Sequence, residues 1–283
     1  MNTADVAQPL SPAAESPPAR FAAPAPSLLL PAFSLARREL VRFLRQPNRV
    51  IGAFATPIVF WLLIGGGMGG SFRSSGPGGS NYIEYFFPGT VLMILLFTAI
   101  FSTISIIEDR REGFLQSVLV APVSRMSIVL GKVLGGTALA FSQGLIFLLL
   151  APTVGIRPSL PAILLTCLAM LVVSFSLTAL GVCIAWRMSS TQGFHAIMNL
   201  FLMPMWFLSG ALFPAEGARG GLGWVMRANP LTYGLSAIRC SLYLRPGHGA
   251  ALILGFGVSI IFAAAMFALA SVIVTGRVSA DLQ

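Results

Sequence analysis

Between Glu84 and Glu108 the chain runs for 23 residues, Tyr85 to Ile107, without a charged side chain. A helix rising about 1.5 Å per residue crosses the ~30 Å hydrocarbon core of a bilayer in a stretch of that length. Inside lipid a single apolar segment can satisfy its own backbone hydrogen bonds only as a helix. Five further stretches read the same way. Taken between their bounding charges and breakers, the six spans fall at about 50–70, 85–107, 128–151, 161–185, 195–213 and 250–275. Lys132 lies near the start of the third, where a lysine is expected to snorkel toward the interface. The short Pro152 to Ser159 turn makes the third and fourth spans a tight hairpin. Composition supports this reading: 56% of residues are apolar and 10% charged, against roughly a quarter charged in soluble domains. The mean hydropathy is +0.85.

Six spans place both termini on one side, and the basic residues choose that side. With the N terminus inside, the inner segments hold twelve of them: Arg20, the five arginines from Arg37 to Arg49, Arg110, Arg111, Arg125, Lys132, Arg187 and Arg277. Six fall outside, four of them in the long segment after span five. That asymmetry is the sense of the positive-inside rule, so both termini are expected in the cytoplasm. The net charge of +9 does not indicate nucleic acid. The basic residues flank apolar runs and are not interleaved with aromatics as in a nucleic-acid groove, so the expected partner is the lipid membrane. Three cysteines, Cys167, Cys183 and Cys240, offer no disulfide framework and no metal-binding CxxC pair.

Three segments lie outside the spans. Residues 1–30, rich in Pro and Ala, read as a disordered cytoplasmic tail, and 277–283 as a second, short tail. Over 31–47, Phe33, Ala36, Leu40, Phe43 and Leu44 recur at helical spacing with Arg37, Arg38, Arg42 and Arg45 between them. This predicts an amphipathic helix in the interface, its arginines meeting anionic headgroups or a cytosolic partner. A plain membrane anchor is the simpler reading of the same pattern. The outer segment 214–249 carries two apolar pieces broken at Asn229-Pro230, each too short to cross. They predict a re-entrant or interfacial hairpin, with Trp224, Tyr233 and Tyr243 at headgroup level. The expected fold is therefore an all-α integral membrane domain: six transmembrane helices, an N-terminal interfacial helix, and an outer re-entrant or interfacial helical segment before the last span.

The spans are nearly bare of chemistry. No carboxylate, histidine or arginine sits mid-span to bind a coupling ion. His195 stands at a helix end, where an interfacial role is the expectation. There is no HExxH and no GxSxG, so zinc and triad chemistry lack material. A phosphate-cradling loop is missing too: Gly131-Lys132 is followed by Val133, and Met126 stands where the leading glycine would be needed. The chain is expected to bind no metal or cofactor and to hydrolyse no ATP by itself.

The densest polar signal follows span two: Glu108, Asp109, Arg110, Arg111, Glu112, Gly113, Phe114 and Leu115, continuing to Leu119. Both signs of charge adjoin a short apolar helix, a surface suited to docking a soluble protein. A solvated interhelical loop is the alternative, though such loops rarely carry so many large apolar residues. From Glu112-Gly113-Phe114-Leu115 through Ala121-Pro122-Val123-Ser124-Arg125 to Val129-Leu130-Gly131-Lys132, the run resembles the signature of ABC-2-type exporter permeases. Phe207-Leu208-Ser209-Gly210-Ala211-Leu212-Phe213-Pro214 and Asn229-Pro230-Leu231-Thr232-Tyr233 with Arg239 are further matches, and the likeness extends from about Phe33 to the C terminus. Phe114 departs from it, since the family commonly has threonine there.

The resemblance implies a permease of the bacterial inner membrane, half of a homo- or heterodimer, seated on a dimer of separate cytosolic ABC ATPase subunits that bind ATP and Mg. It implies that Glu108 to Leu119 is the coupling helix and that the interfacial helix makes the second contact. The substrate path would lie at the dimer interface of helices two and five, for which Phe97, Phe101, Asn199 and Met203 are the candidates. Asn199 would bind substrate or hydrogen-bond a neighbouring helix. A Phe- and Met-lined path suits hydrophobic or amphipathic cargo. The competing class is a membrane assembly factor or scaffold that recruits a soluble protein and transports nothing.

Overall fold

The computed structural model describes residues 28–67, 82–114, 117–118, 123–213, 220–244 and 246–280. Most of the expected N-terminal tail, Leu115 and the last residues of the C-terminal tail lie outside them. The described residues form helices and no strand: α1 (Leu29–Leu44), α2 (Pro47–Gly67), α3 (Tyr82–Ser102), α4 (Ile104–Arg111), α5 (Arg125–Leu148), α6 (Leu160–Ala185), α7 (Thr191–Trp206), α8 (Gly221–Ala228), α9 (Pro230–Tyr243) and α10 (Gly249–Ala280). A single 3₁₀ turn, Ala151–Val154, links α5 to α6, and a π-helical turn, Phe207–Ala211, ends α7. Six of the helical stretches are long and apolar enough to cross a membrane: Val50–Gly67, Tyr82–Arg111, Arg125–Leu148, Leu160–Ala185, Thr191–Ala211 and Gly249–Gly276.

α3 is the axis of the bundle. Phe86, Phe87, Val91, Leu92, Met93, Ile94 and Leu95 have no exposed surface, and α3 packs against α2, α5, α6 and α9. Near its Tyr82 end the packing is aromatic: Phe87 stacks on Phe147 at 4.8 Å, and Trp61 meets Phe147 edge-on at 5.3 Å. Such pairs add about 0.5–1.5 kcal/mol beyond their buried area. At the other end the helix falters between Ser102 and Ile104, where the Ser102 and Thr103 hydroxyls donate back to the carbonyls of Ala99 and Ile100, both at 2.7 Å. Serine and threonine compete with the helical ladder in this way and bend it. The chain then continues as α4, which carries Glu108 to Arg111 as the turn directly after the apolar stretch. These charges extend the spanning helix. Gly113, with a positive φ of 75°, ends the turn that follows α4, and Leu115, Gln116 and Leu119 of the expected coupling helix lie outside the described residues.

α1 differs from its expected face. Ala32, Leu35, Ala36, Glu39 and Phe43 are buried, while Phe33 and Leu44 are exposed. The reason lies in α5. A Cβ on Gly131 would come within 2.7 Å of the Leu35 Cβ, and one on Gly135 within 2.8 Å of the Glu39 Cβ. The small pairs Ala32/Ala36 and Gly131/Gly135, each four apart, let the two backbones close together as small-xxx-small helices do in membranes. α1 is thereby clamped to the bundle along one face, leaving Leu29, Leu30, Phe33 and Leu44 outward as the apolar surface of an interfacial helix.

α8 and α9 are the two short helices of the outer segment, meeting at Asn229. Asn229 caps α9 by accepting from the Leu231 N–H at 3.0 Å, and its amide donates to the Met205 carbonyl at 2.6 Å. At the other end of α9 the Tyr243 hydroxyl donates to the Glu84 carbonyl at 2.9 Å, at the start of α3. Trp224 is exposed on α8, whereas the Tyr233 hydroxyl is held by the Arg227 carbonyl at 2.9 Å.

Gly131→Leu should undock α1, because overpacking a closed contact costs about 1–3 kcal/mol. With Ala36→Cys as reporter, the buried thiol is expected to react with a maleimide at least tenfold faster in the Gly131→Leu background. An unchanged rate would contradict this packing.

Candidate functional site

α1, α4 and α5 each contribute charged residues to one cluster at the α1 end of the bundle. Its centre is Asp109, which has no exposed surface. A carboxylate withdrawn from water must be paired and hydrogen-bonded, and three cations answer it. Arg38 presents its planar fork, Nη2 to Oδ1 at 2.8 Å and Nη1 to Oδ2 at 3.1 Å, the bidentate geometry only arginine supplies. Arg42 Nη1 donates to Oδ1, and Lys132 Nζ donates to Oδ2.

Each cation then reaches a second carboxylate. Lys132 donates to Glu39 Oε1 at 2.7 Å and to the Ser105 hydroxyl at 3.2 Å. Arg42 Nη2 spans Glu108 at 3.1 Å and Glu112 at 3.3 Å. Arg38 also touches Glu39 at 3.3 Å and lies 3.6 Å from the centre of the Phe114 ring. Its hydrogen bond to Asp109 raises the Arg38 guanidinium above its ordinary pKa, so it stays charged throughout the accessible range. Phe114 supplies the cation–π face for this guanidinium.

This arrangement corrects two expectations. Lys132 does not snorkel: it is buried and turned inward, because two carboxylates one helix away offer a better partner than the interface. Arg38 and Arg42 are committed to the cluster rather than to headgroups or a partner, while Arg37 and Arg45 are exposed. Asp109 is inaccessible to any docking protein. Glu112, 61% exposed, is the carboxylate of the cluster that faces out.

Arg110 and Arg111 turn the other way. Arg110 donates to the carbonyls of Trp186 at 2.7 Å and Met188 at 3.0 Å, and Arg111 donates twice to the Ser189 carbonyl, at 3.1 and 2.9 Å. They cap the C-terminal end of α6, where the dipole favours cations.

The four path candidates come together. Phe97 and Phe101 of α3 and Asn199 and Met203 of α7 line one cleft with Leu96, Ile100, Met198 and Leu202. Its enclosed space, about 10 Å³, is barely that of one water. Asn199 is exposed on α7, and His195 meets the Phe101 ring edge-on at 5.4 Å.

Among the described residues no three His, Cys, Asp or Glu gather in a way that could hold a metal ion. Sequence reasoning missed Glu39 and the pairing of Lys132. Both carried a signal: an ionisable residue in an apolar helix demands a counterion, and Gly131-x₃-Gly135 marks where a helix comes close enough to bring one.

Six apolar helices in one bundle, with this charged cluster at one end, define a multi-pass α-helical membrane protein. The sequence model of the ABC-2 type transporter family matches residues 32–243, from α1 to the end of α9, and the chain belongs to that family. The putative transport permease ycf38 of Cyanophora paradoxa is 27% identical over 211 residues, covering 73% of this chain and 72% of its own length. Nodulation protein J of Sinorhizobium fredii is 27% identical over 205 residues, 72% of this chain and 77% of its own. The probable multidrug ABC transporter permease YbhR of Escherichia coli is 25% identical over 166 residues, 58% and 45%. The chain is thus a permease of the ABC-2 transporter family.

Lys132→Met should destabilise the protein by about 3–5 kcal/mol, the cost of stranding a buried charge. Glu112→Gln, at the exposed edge, should cost less than about 1 kcal/mol. Thermal unfolding in one detergent is expected to rank the two in that order, and equal losses would contradict a buried centre.

Proposed function

We propose that this chain is the membrane-spanning subunit of an ATP-driven exporter, paired with a second permease copy and seated on a separate cytosolic ABC ATPase dimer. ATP and Mg belong to that partner. The cargo is hydrophobic or amphipathic and leaves the cytoplasm along the face carrying Phe97, Phe101, Asn199 and Met203. The α1 end faces the cytoplasm of a bacterial inner membrane, an orientation that the excess of basic residues on that side supports.

The observation that carries this reading is the position of Glu112 to Phe114. The segment emerges from α4 at the exposed edge of the cluster, with Arg42 on Glu112 and Arg38 on Phe114. A soluble subunit pressing there moves α4, and the ion pairs carry the load to α1 and α5. ATP binding that favours one ATPase geometry then shifts the permease between its states, by no more than its differential affinity. Family membership and the relatives named as transport permeases support the same reading.

Alone, the purified chain is expected to show no ATP hydrolysis; with its ATPase it should raise hydrolysis several-fold. Glu112→Lys should lower that stimulation at least tenfold. Full stimulation in the variant would overturn the docking assignment, and an absence of stimulation by the unaltered chain would favour a scaffold.

A further inference from the structure

The segment from Glu108 to Leu115 is expected to couple to the ATPase, yet its Arg110 and Arg111 are turned into the protein. Together they make four hydrogen bonds to three carbonyls in the connection between α6 and α7. Arg110 also lies over the Trp186 ring at 5.6 Å. The connection is short, Trp186 to Ser190, and α7 begins immediately after it, capped by the Ser190 hydroxyl on the Gly193 N–H at 3.4 Å. A displacement of α4 therefore arrives at the first turn of α7 through side-chain bonds to backbone, with little chain between to absorb it.

α7 is built to respond. Gln192, His195, Ala196, Asn199, Leu200 and Phe201 are exposed, and its neighbours along the bundle are α3 and α4. Its far end is held differently. At the π-helical turn, where Gly210 has φ 87°, the Gly210 carbonyl accepts from the Tyr85 hydroxyl at 3.0 Å and from Arg239 at 3.3 Å, and Trp206 Nε1 donates to the Gly89 carbonyl at 2.9 Å. The left-handed Gly210 breaks the helical path there and leaves a kink, and a few element-terminal residues suffice as a hinge.

We propose that Arg110 and Arg111 are positioning residues that drive α7: they convert movement of the docking segment into a swing of α7 about the Phe207–Ala211 turn, opening the cleft at Phe97, Phe101, Asn199 and Met203. The inference rests on the exporter reading above and assigns these two arginines to transmission within the permease instead of contact with the ATPase. Arg110 holds two carbonyls at once with its fork and Arg111 grips one carbonyl with two donors, geometries that the single ammonium of a lysine does not reproduce.

The test uses the full chain with its co-purified ATPase in lipid nanodiscs, in a background with Cys167, Cys183 and Cys240 replaced by alanine. Spin labels on Ala196→Cys in α7 and Leu171→Cys in α6 report the distance between the helices with and without Mg-ATP and vanadate. The unaltered clamp should give a nucleotide-dependent shift. Arg110→Gln with Arg111→Gln should keep the bound ATPase within twofold, abolish the shift and lower hydrolysis stimulation at least tenfold. A second, label-free variant guards against misfolding: Arg110→Gln with Arg111→Cys and Ser189→Cys should lose stimulation and regain it when a short bis-maleimide joins the two thiols. Loss of the ATPase from the double variant, a preserved shift, or no rescue by the cross-link would each overturn the proposal. If the unaltered chain retains no ATPase and shows no shift, the exporter reading fails and this inference falls with it.

Discussion

A carboxylate sealed inside a membrane protein cannot be left to water, and Asp109 sets the terms for the α1 end of this molecule. To neutralise it the chain brings an arginine fork from α1, a second arginine one turn further along the same helix, and a lysine from α5. Those cations in turn fix Glu39, Glu108 and Glu112. Asp109 is the one group that all three cations share, so its loss weakens every contact that joins these helices. The close approach of Ala32 and Ala36 to Gly131 and Gly135 serves the same end, since without it Glu39 could not reach Lys132.

The consequence is that α1, α4 and α5 are tied to one another around Asp109. From α4, Arg110 and Arg111 reach to the connection ahead of α7, the helix whose Asn199 and Met203 complete the cleft with α3. Specificity of geometry, more than raw stability, is what such a buried network offers: a well-packed apolar centre of similar volume could be as stable, but it would not transmit a push along defined bonds.

The fold was legible because length and polarity decide it. An uncharged stretch such as Tyr85 to Ile107 has only one regular structure open to it in lipid, and the Asn229-Pro230 break marked the junction of α8 and α9. The face of α1 was not legible. Of the expected face, Ala36 and Phe43 are buried while Phe33 and Leu44 are exposed, because glycines on α5 draw the Ala32–Ala36 side of α1 inward. The site was legible in content and misread in direction. Glu108 to Phe114 stood out by charge density, but sequence spacing cannot show that Asp109 faces inward, Glu112 outward, and Arg110 toward the α6 terminus. On a helix successive residues point about 100° apart, so four adjacent charges serve different neighbours. Phe97, Phe101, Asn199 and Met203 were drawn together from a family resemblance, and they do line one cleft.

The dependence of the α1 end on Asp109 is tested most directly by a double-mutant cycle for unfolding, with Lys132→Met, Asp109→Asn and both together in the full chain. Buried, hydrogen-bonded partners should be strongly coupled, so the double variant should cost at least about 2 kcal/mol less than the sum of the single losses. Losses that add to within about 0.5 kcal/mol would mean that the two groups act independently, contradicting the account of Asp109 as the centre that holds these helices together.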